Sequence, residues 1–251
     1  MKRAIILAAG EGSRLKPLTK HRPKAMVKLA GQDLIKHQIN ILLKCNISQI
    51  SVVVGCHGEI IREQYNKITS IIENKDWSST NMVYSFDCWL KKADFNFLGD
   101  TIVSYGDIVY NQEVLTSLLK KPDDFVISAD TEFNDYWSKR SENPLDDLES
   151  FKIGKDGRVI DIGQKIQETE SIDAQYIGLM KFSKKGISTI SHAISRLKKR
   201  ADYKKLYFTD LLSDLIVNDI PIMPSLHHRG WLEIDTLEDL QLAEELFEAI
   251  F

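Results

Sequence analysis

The chain has 251 residues, 43% of them hydrophobic and 27% charged, and its 33 basic and 36 acidic side chains give a net charge of −3. This composition is typical of a globular protein with one large or two small domains, and it lacks the basic excess of most nucleic-acid-binding proteins. No run of about 18 apolar residues predicts a membrane span.

The sequence also lacks the patterns of exported or disulfide-bonded proteins. The apolar run after Met1, Lys2 and Arg3 ends within a few residues at Gly10, which is too short for a signal peptide. The three cysteines are odd in number and show no C-x-x-C spacing, which argues against a disulfide framework or a structural zinc site. We therefore expect a cytoplasmic protein with reduced cysteines.

Short apolar segments alternate with helical patterns over the first 130 residues. The predicted strands are Arg3–Ala8, Gln49–Val54, Thr101–Ser104 and Phe125–Ala129. The predicted helices are Asp33–Lys44, Glu59–Lys67, Thr80–Lys92 and Gln112–Leu119, with Asp33 and Asn111 as expected N-caps. This alternation indicates βαβ units and a mostly parallel sheet. Gly10, Gly55 and Gly106 each follow a predicted strand, so we expect all three at one edge of the sheet.

The pattern changes after residue 130. The segment Asp130–Pro144 is polar and aromatic without a clear period, and a β-hairpin is predicted from Glu149–Ile153 and Arg158–Ile162 around a glycine-containing turn. The later predicted elements are a strand at Tyr176–Phe182 and helices at Lys184–Lys199, Phe208–Val217 and Thr236–Phe251. We expect a single three-layer α/β/α domain over residues 1–251, with a mostly parallel mixed sheet and an inserted antiparallel hairpin region.

A glycine-containing loop directly follows the first predicted strand. It contains Gly10 and Gly12, and the cations Arg14 and Lys24 follow them. Small residues let backbone N–H groups approach phosphate oxygens, and cations neutralise the remaining charge. The loop therefore predicts a site for a polyphosphate.

Two common phosphate-binding loops do not fit this segment. Leu15 stands where the dinucleotide fingerprint G-x-G-x-x-G needs glycine, and Pro17 and Pro23 obstruct the helix that must follow it. The G-K-[S/T] ending of the P-loop is also absent. These differences make a Rossmann site or a P-loop NTPase improbable.

The longer string L-A-A-G-x-G-[S/T]-R-L, followed by Pro23-Lys24, resembles the signature of the sugar-phosphate type of nucleotidyltransferase superfamily, with a GT-A/Rossmann-like fold. The resemblance implies a nucleotide-binding half (1–130) and an acceptor-binding half (131–251) that ends in a helix. It also implies catalytic roles for Lys24, Arg14 and Asp107. The nucleotide-binding residues that it implies are Leu7, Ala8, Ala9, Gly10, Glu11, Gly12, Ser13, Arg14, Lys24, Asn81, Ser85 and Gly106.

Two aspartates match the metal-binding positions of that superfamily. Asp107 follows a predicted strand and a glycine, and Asp235 precedes the last predicted helix. Taken alone, a Gly-Asp dipeptide is more typical of a turn, and Asp235 could cap the helix. Together the two carboxylates would suit Mg²⁺, which prefers hard oxygen ligands. Asn81 likewise has two readings, as a residue that contacts the base or as one that caps a helix.

The G-E-x-P-L-G segment of many sugar-1-phosphate enzymes is absent, and the chain is more similar to small cytidylyltransferases for 2-aminoethylphosphonate and phosphocholine. The acceptor-binding candidates are Trp137, Arg140, Asn143, Asp146, Lys165 and Tyr176. The fork of Arg140 matches a phosphonate, and Asp146, Asp147 and Glu149 could receive an ammonium group. In the alternative reading, Trp137 anchors a loop on the core and Asp146 caps a turn.

The resemblance thus implies a Mg²⁺-dependent transfer of CMP from CTP to a small phosphorylated or phosphonate acceptor. We expect no nucleic-acid or membrane partner, and a homodimer is possible. Two alternatives stay open. One is a sugar-1-phosphate uridylyl- or thymidylyltransferase, which would prefer UTP or dTTP. The other is a nucleotide-binding sensor or scaffold, which would turn over no nucleotide.

Overall fold

The computed structural model describes residues 1–140, 143–168 and 172–251, with Asp146 described in its backbone only. The strands of this part are β1 (Lys2–Ala8), β2 (Lys28–Leu29), β3 (Gln32–Asp33), β4 (Gln49–Val54), β5 (Ser70–Glu73), β6 (Asp100–Tyr105), β7 (Ile108–Tyr110), β8 (Phe125–Asp130), β9 (Glu149–Ile153), β10 (Val159–Lys165), β11 (Gln175–Phe182), β12 (Met223–His227) and β13 (Trp231–Glu233). The helices are α1 (Leu34–Lys44), α2 (Gly58–Tyr65), α3 (Met82–Leu90), α4 (Gln112–Lys120), α5 (Phe133–Arg140), α6 (Lys184–Leu197), α7 (Phe208–Val217) and α8 (Leu237–Ile250). None of the described helices is both long and apolar enough to cross a membrane.

A seven-stranded sheet in the order β12-β8-β11-β6-β1-β4-β5 forms the centre of the molecule. The pairs β1/β4, β1/β6, β4/β5 and β8/β12 are parallel, while β11 runs antiparallel to both β6 and β8. The central strands are rich in Ile and Val and are buried along most of their length, as expected where helices cover both faces. The predicted three-layer α/β fold with a mostly parallel mixed sheet is confirmed.

Outside this sheet lie three two-stranded ladders. The hairpin β9/β10 confirms the predicted antiparallel insertion, although β10 continues to Lys165, where it lies opposite Glu149. The short strands β7 and β13 pair antiparallel, with Ile108 opposite Glu233. The sequence patterns did not predict β7 or β13, because three residues are too few to show a period of two.

The segment Asp130–Pro144, in which the sequence shows no clear period, contains α5. Phe133, Tyr136 and Trp137 are the buried residues of this helix, at the i, i+3 and i+4 spacing of one helical face. An eight-residue helix shows this spacing only once, so the polar residues between the three aromatics hide it.

The two predicted N-caps have different outcomes. Asn111 caps α4, since its side chain accepts a hydrogen bond from Val114 N at 3.1 Å. Asp33 occupies the N-cap position of α1 but makes no capping bond, so that prediction was wrong. Its carboxylate instead accepts hydrogen bonds from the Tyr65 hydroxyl at 2.7 Å and from Gln64 at 3.1 Å.

The three glycines that follow strands lie at one edge of the sheet, as expected. They terminate the adjacent parallel strands β1, β4 and β6. The chain passes very close to its neighbours here: a Cβ on Gly55 would lie 2.4 Å from Ala9 O, and one on Gly106 would lie 2.7 Å from Leu7 O. Glycine at positions 55 and 106 lets the backbone segments lie side by side at the carboxyl ends of the strands.

Candidate functional site

The glycine loop is folded against Lys24. Gly12 has a φ of +66°, and a Cβ there would lie 2.8 Å from Lys24 Cβ, so both the backbone and the space require glycine. The Thr19 hydroxyl donates a hydrogen bond to Gly12 O at 2.7 Å. The single 3₁₀ turn Ser13–Leu15 buries Leu15 and leaves Arg14 on the surface side. The loop therefore holds its cations in defined places.

Lys24 lies between the two predicted metal ligands. Its ammonium donates to Asp107 Oδ2 at 2.7 Å and also to Asp235 Oδ1, and its side chain is 13% exposed. Burial alone would lower the pKa of Lys24, but the two carboxylates outweigh it and raise that pKa. Arg14, whose side chain is 57% exposed, places a guanidinium nitrogen 3.0 Å from Asp235 Oδ2. Four charged side chains thus form one cluster.

The small β7/β13 ladder explains why residues so far apart in sequence meet. Asp107 lies between the end of β6 and β7, and Asp235 lies two residues after β13. The Ile234 N–H donates to Asp107 O at 3.0 Å, which holds the two segments together. Thr236, not Asp235, caps α8 by accepting from Asp239 N at 3.1 Å. The carboxylate of Asp235 is therefore left for the cluster.

The carboxylate oxygens of this cluster are suitable ligands for Mg²⁺. Asp107 Oδ1 is buried and has no hydrogen-bond partner among the described residues. Burial opposes ionisation of Asp235, yet Lys24 and then Arg14 lower the pKa of its carboxyl, which favours the anionic form. In the described ranges no group of three or more His, Cys, Asp or Glu side chains is arranged as a metal site. Two carboxylates suffice for Mg²⁺, which usually keeps several waters and substrate phosphate oxygens as ligands.

Arg140 has a different environment from the one expected. Its side chain is only 3% exposed, and its guanidinium binds Asp239 Oδ1 at 2.7 Å, Glu233 Oε2 at 2.5 Å and Asp235 Oδ2 at 3.5 Å. It also lies over the Trp137 ring at 5.1 Å. We expected the guanidinium to bind a phosphonate, whereas carboxylates of the protein itself occupy it. Sequence reasoning missed Glu233, and burial raises the pKa of its carboxyl although Arg140 opposes the shift.

A cavity of about 110 Å³ opens beside the glycine loop. Its lining includes these predicted nucleotide-binding residues: Leu7, Ala8, Ala9, Gly10, Lys24, Asn81, Ser85 and Gly106. Trp77 and Tyr105 also line it and were not predicted. Asn81 fits both of its readings, since it lines the cavity and its side chain accepts from Met82 N at 2.9 Å, at the start of α3.

The remaining predicted loop residues lie elsewhere. Gly12, Ser13 and Arg14 line a second, larger cleft of about 760 Å³. Glu11 pairs with Lys16 at 2.9 Å and lines neither space. The cavity and the larger cleft share Lys24 and Asp107, so these two residues lie where the spaces meet.

The larger cleft brings together four of the predicted acceptor residues, namely Trp137, Arg140, Lys165 and Tyr176. Asn143 is exposed at the start of a 3₁₀ turn and is not among the cleft residues, and the side chain of Asp146 lies outside the described part of the chain. Trp137 also packs against Tyr136 and Trp231, which fits the alternative that it anchors the segment on the core. Gln175, Tyr207 and Thr209 line the cleft as well, and no sequence signal pointed to them.

Gly178 packs against the ring of Tyr105, a residue that lines both the cavity and the cleft. Gly178 has a φ of +78°, and a Cβ there would lie 2.4 Å from Tyr105 Cδ2. Gly31 has nearly the same φ, +75°, but its Cβ would meet no atom within 4 Å. The two glycines thus have nearly the same φ, but only the buried Gly178 has a side chain in the space that a Cβ would need.

We expect Gly178→Ala to lower the free energy of unfolding by about 2–4 kcal/mol, from backbone strain plus overpacking. Gly31→Ala should cost about 1 kcal/mol, from strain only. Urea denaturation measures both, and the displaced ring should also raise the KM for nucleotide in Gly178→Ala. Equal losses of stability in the two variants would contradict the steric role of Tyr105.

Comparison with known proteins places this site in a family. A family model described as the MobA-like NTP transferase domain matches residues 4–161, which include the glycine loop, Lys24, Asn81 and Asp107. Asp235 lies beyond the matched range.

The similarity to individual proteins extends over the whole chain. The CTP:phosphoglutamine cytidylyltransferase of Campylobacter jejuni is 35% identical over 254 aligned positions, which cover 96% of this chain and 99% of that protein. The 2-aminoethylphosphonate cytidylyltransferase of Lancefieldella rimae is 24% identical over 94% of this chain and 89% of that protein. The structure of the CTP:phosphocholine cytidylyltransferase of Streptococcus pneumoniae superposes with a TM-score of 0.75 at 21% identity, over 98% of this chain and 99% of that one, and shows the same fold.

Proposed function

Because this chain belongs to the MobA-like NTP transferase domain family, we propose that it transfers CMP from CTP to a small phosphorylated or phosphonate acceptor and releases pyrophosphate. The observation that carries the proposal is the position of Lys24. Its ammonium lies between two carboxylates, where a cavity beside the glycine loop meets a larger cleft. A nucleotide in the cavity and an acceptor in the cleft would have their reacting groups at this junction.

The cavity would take the cytidine part of CTP. Ala8 and Ala9 line it, and their peptide groups would serve as hydrogen-bond partners for a base edge. Ser85 Oγ accepts a hydrogen bond from Asn74 at 3.0 Å, which leaves its own hydroxyl hydrogen for a ligand acceptor. In this proposal residues 1–130 supply most of the nucleotide contacts, and residues 131–251 supply the acceptor contacts and Asp235.

The glycine loop and its cations would hold the triphosphate. The backbone N–H groups from Gly10 to Ser13 are suited to phosphate oxygens. Arg14 is exposed and paired on one side only, so it can turn from Asp235 to the departing pyrophosphate. Lys24 would exchange its carboxylate partners for oxygens of the α-phosphate. Both cations would then neutralise the charge that develops as the bond between the α- and β-phosphates breaks.

Asp107 and Asp235 would hold Mg²⁺, which when bound supplies charge neutralisation and alignment of the phosphate and acceptor oxygens. The attacking oxygen of a phosphate or phosphonate is already anionic at neutral pH, so no strong general base is needed. The new bond joins this oxygen to the α-phosphorus, and the β-phosphate oxygen takes the electrons of the broken bond. The protein's main contributions are position and charge.

Measurement of pyrophosphate release with CTP, UTP, dTTP, ATP and GTP tests this proposal. Each nucleotide is paired with 2-aminoethylphosphonate, phosphocholine, a phosphorylated amide such as phosphoglutamine, and glucose 1-phosphate. We expect release to be fastest with CTP and to require both an acceptor and a divalent cation. A preference for UTP or dTTP would instead indicate a sugar-1-phosphate enzyme, and absence of release in every combination would indicate a nucleotide sensor.

A further inference from the structure

The wall of the larger cleft contains a carboxylate for which the described residues provide no cationic partner. Glu149 begins β9 and lines the same cleft as Lys24 and Asp107. No ion pair forms between Glu149 and any lysine, arginine or histidine of the described residues. Lys165, which lies opposite it across the β9/β10 ladder, also lines the cleft but does not pair with it.

The surroundings of Glu149 make its charge unfavourable in the free protein. Burial raises the pKa of its carboxyl, the nearby charge of Asp210 raises it further, and a hydrogen bond from the Thr209 side chain opposes the shift only in part. A nearby positive charge stabilises the ionised form of a desolvated carboxylate that lies beside a second carboxylate. Glu149 therefore presents a place for a cation that the described part of the protein does not supply.

Two buried side chains on the same wall have unused hydrogen-bonding capacity. Gln175 is 7% exposed, and its Oε1 has no partner in the ranges described, while its Nε2 donates to Tyr176 O at 3.3 Å. Tyr176 is 8% exposed, and its hydroxyl lies beside the Tyr105 phenol without a hydrogen bond of normal geometry to any described residue. An amide oxygen and a phenol oxygen both accept hydrogen bonds from an ammonium group.

Tyr105 links this wall to the transfer site. Tyr105 lines both the cavity and the cleft, as Lys24 and Asp107 do, and Glu149 lines the cleft. The Tyr105 ring lies edge-on to that of Tyr176, with 5.9 Å between the ring centroids. A short acceptor can therefore extend past Tyr105 from the Lys24–Asp107 junction to Glu149.

We propose that Glu149 is a specificity-determining residue that binds a positively charged amino group of the acceptor. This inference rests on the transferase function proposed above. It restricts the acceptors to compact phosphoryl or phosphonate compounds that carry an ammonium group a few bonds from the phosphorus. Neutral sugar phosphates would leave the half-buried Glu149 without a counter-charge, and the cleft therefore selects against them.

The test compares matched acceptors and matched variants by CTP-dependent pyrophosphate release. The acceptors are 2-aminoethylphosphonate against propylphosphonate, phosphoethanolamine against propyl phosphate, phosphoglutamine, phosphocholine and glucose 1-phosphate. We expect the wild-type protein to favour an ammonium-bearing acceptor over its neutral counterpart. Glu149→Gln should raise the KM for that acceptor about 10- to 100-fold, the effect of one charged hydrogen bond, and leave the KM for CTP within about twofold.

The control is Asp156→Asn, which removes a carboxylate from the exposed turn of the same hairpin and should change neither constant. Release with glucose 1-phosphate or a neutral counterpart as the best acceptor, or an unchanged acceptor KM in Glu149→Gln, would overturn the role of Glu149 and leave the transferase function standing. No release with any acceptor would overturn the transferase function itself, and with it this inference. An equal rise in the KM values for acceptor and CTP would mean a general disturbance of the cleft and would also overturn it.

Discussion

The substitution Lys24→Met is expected to lower the rate of CMP transfer by about 100-fold or more at saturating substrates. Methionine keeps much of the side-chain length but removes the ammonium that would neutralise the α-phosphate, and loss of one such contact has this typical effect. Steady-state pyrophosphate release measures the change. Lys28→Met is the control, because Lys28 is an exposed lysine that pairs with Asp33 outside the site, and its rate should stay near that of the wild type.

The same variant has a second expected readout, in stability. Without the ammonium, the partly buried carboxylates of Asp107 and Asp235 lose their common partner, which is expected to cost about 3 kcal/mol. Mg²⁺ should raise the melting temperature of Lys24→Met more than that of the wild-type protein, because the ion competes with no ammonium in the variant. Near-normal turnover in Lys24→Met would refute the assignment of Lys24 to the transfer step.

Replacement of Arg140 by methionine is expected to lower the free energy of unfolding by about 3–5 kcal/mol. The guanidinium is buried and pairs with Glu233, Asp235 and Asp239, so its removal leaves several carboxylates close together without a counter-charge. Urea denaturation measures the loss. Arg140→Lys should recover only part of it, because an ammonium cannot reproduce the forked contacts of arginine.

The exposed pair of Arg200 and Asp202 provides the matched control, since Arg200→Met should change stability little. The two possible roles of Arg140 give different results. If Arg140→Met unfolds normally but has a strongly raised KM for the acceptor, then the guanidinium binds the acceptor as the sequence first suggested, and its carboxylate contacts are secondary.

The parts of the fold that the sequence predicted well are those with long, regular patterns. Strands such as Gln49–Val54 and helices such as Phe208–Val217 have the predicted bounds, because six to ten residues are enough to display their period. The placement of Gly10, Gly55 and Gly106 at one edge followed from the parallel sheet alone. The short strands β7 and β13 show no such pattern, although they join Asp107 to Asp235.

The sequence also indicated which residues to examine for a site. Lys24, Asp107 and Asp235 were selected because their motifs resemble the nucleotidyltransferase signature, and the structure brings the three side chains together. The sequence contains no signal for the partners of Arg140. Its contacts with Glu233 and Asp239 depend on how α5 packs near β13 and α8, and no local pattern encodes that packing. The steric dependence of Tyr105 on Gly178 is likewise a tertiary effect between two different strands.

The separation of the clustered residues along the chain has a consequence for how the protein becomes active. Lys24 is 83 positions from Asp107 and 211 from Asp235, so its contact with Asp235 is among the most non-local of the described residues. Contacts of this kind require closure of long loops and tend to form late in folding. A partly folded chain can have the glycine loop in place before Asp235 reaches Lys24. We therefore expect transfer activity to appear only after this contact forms, late in folding.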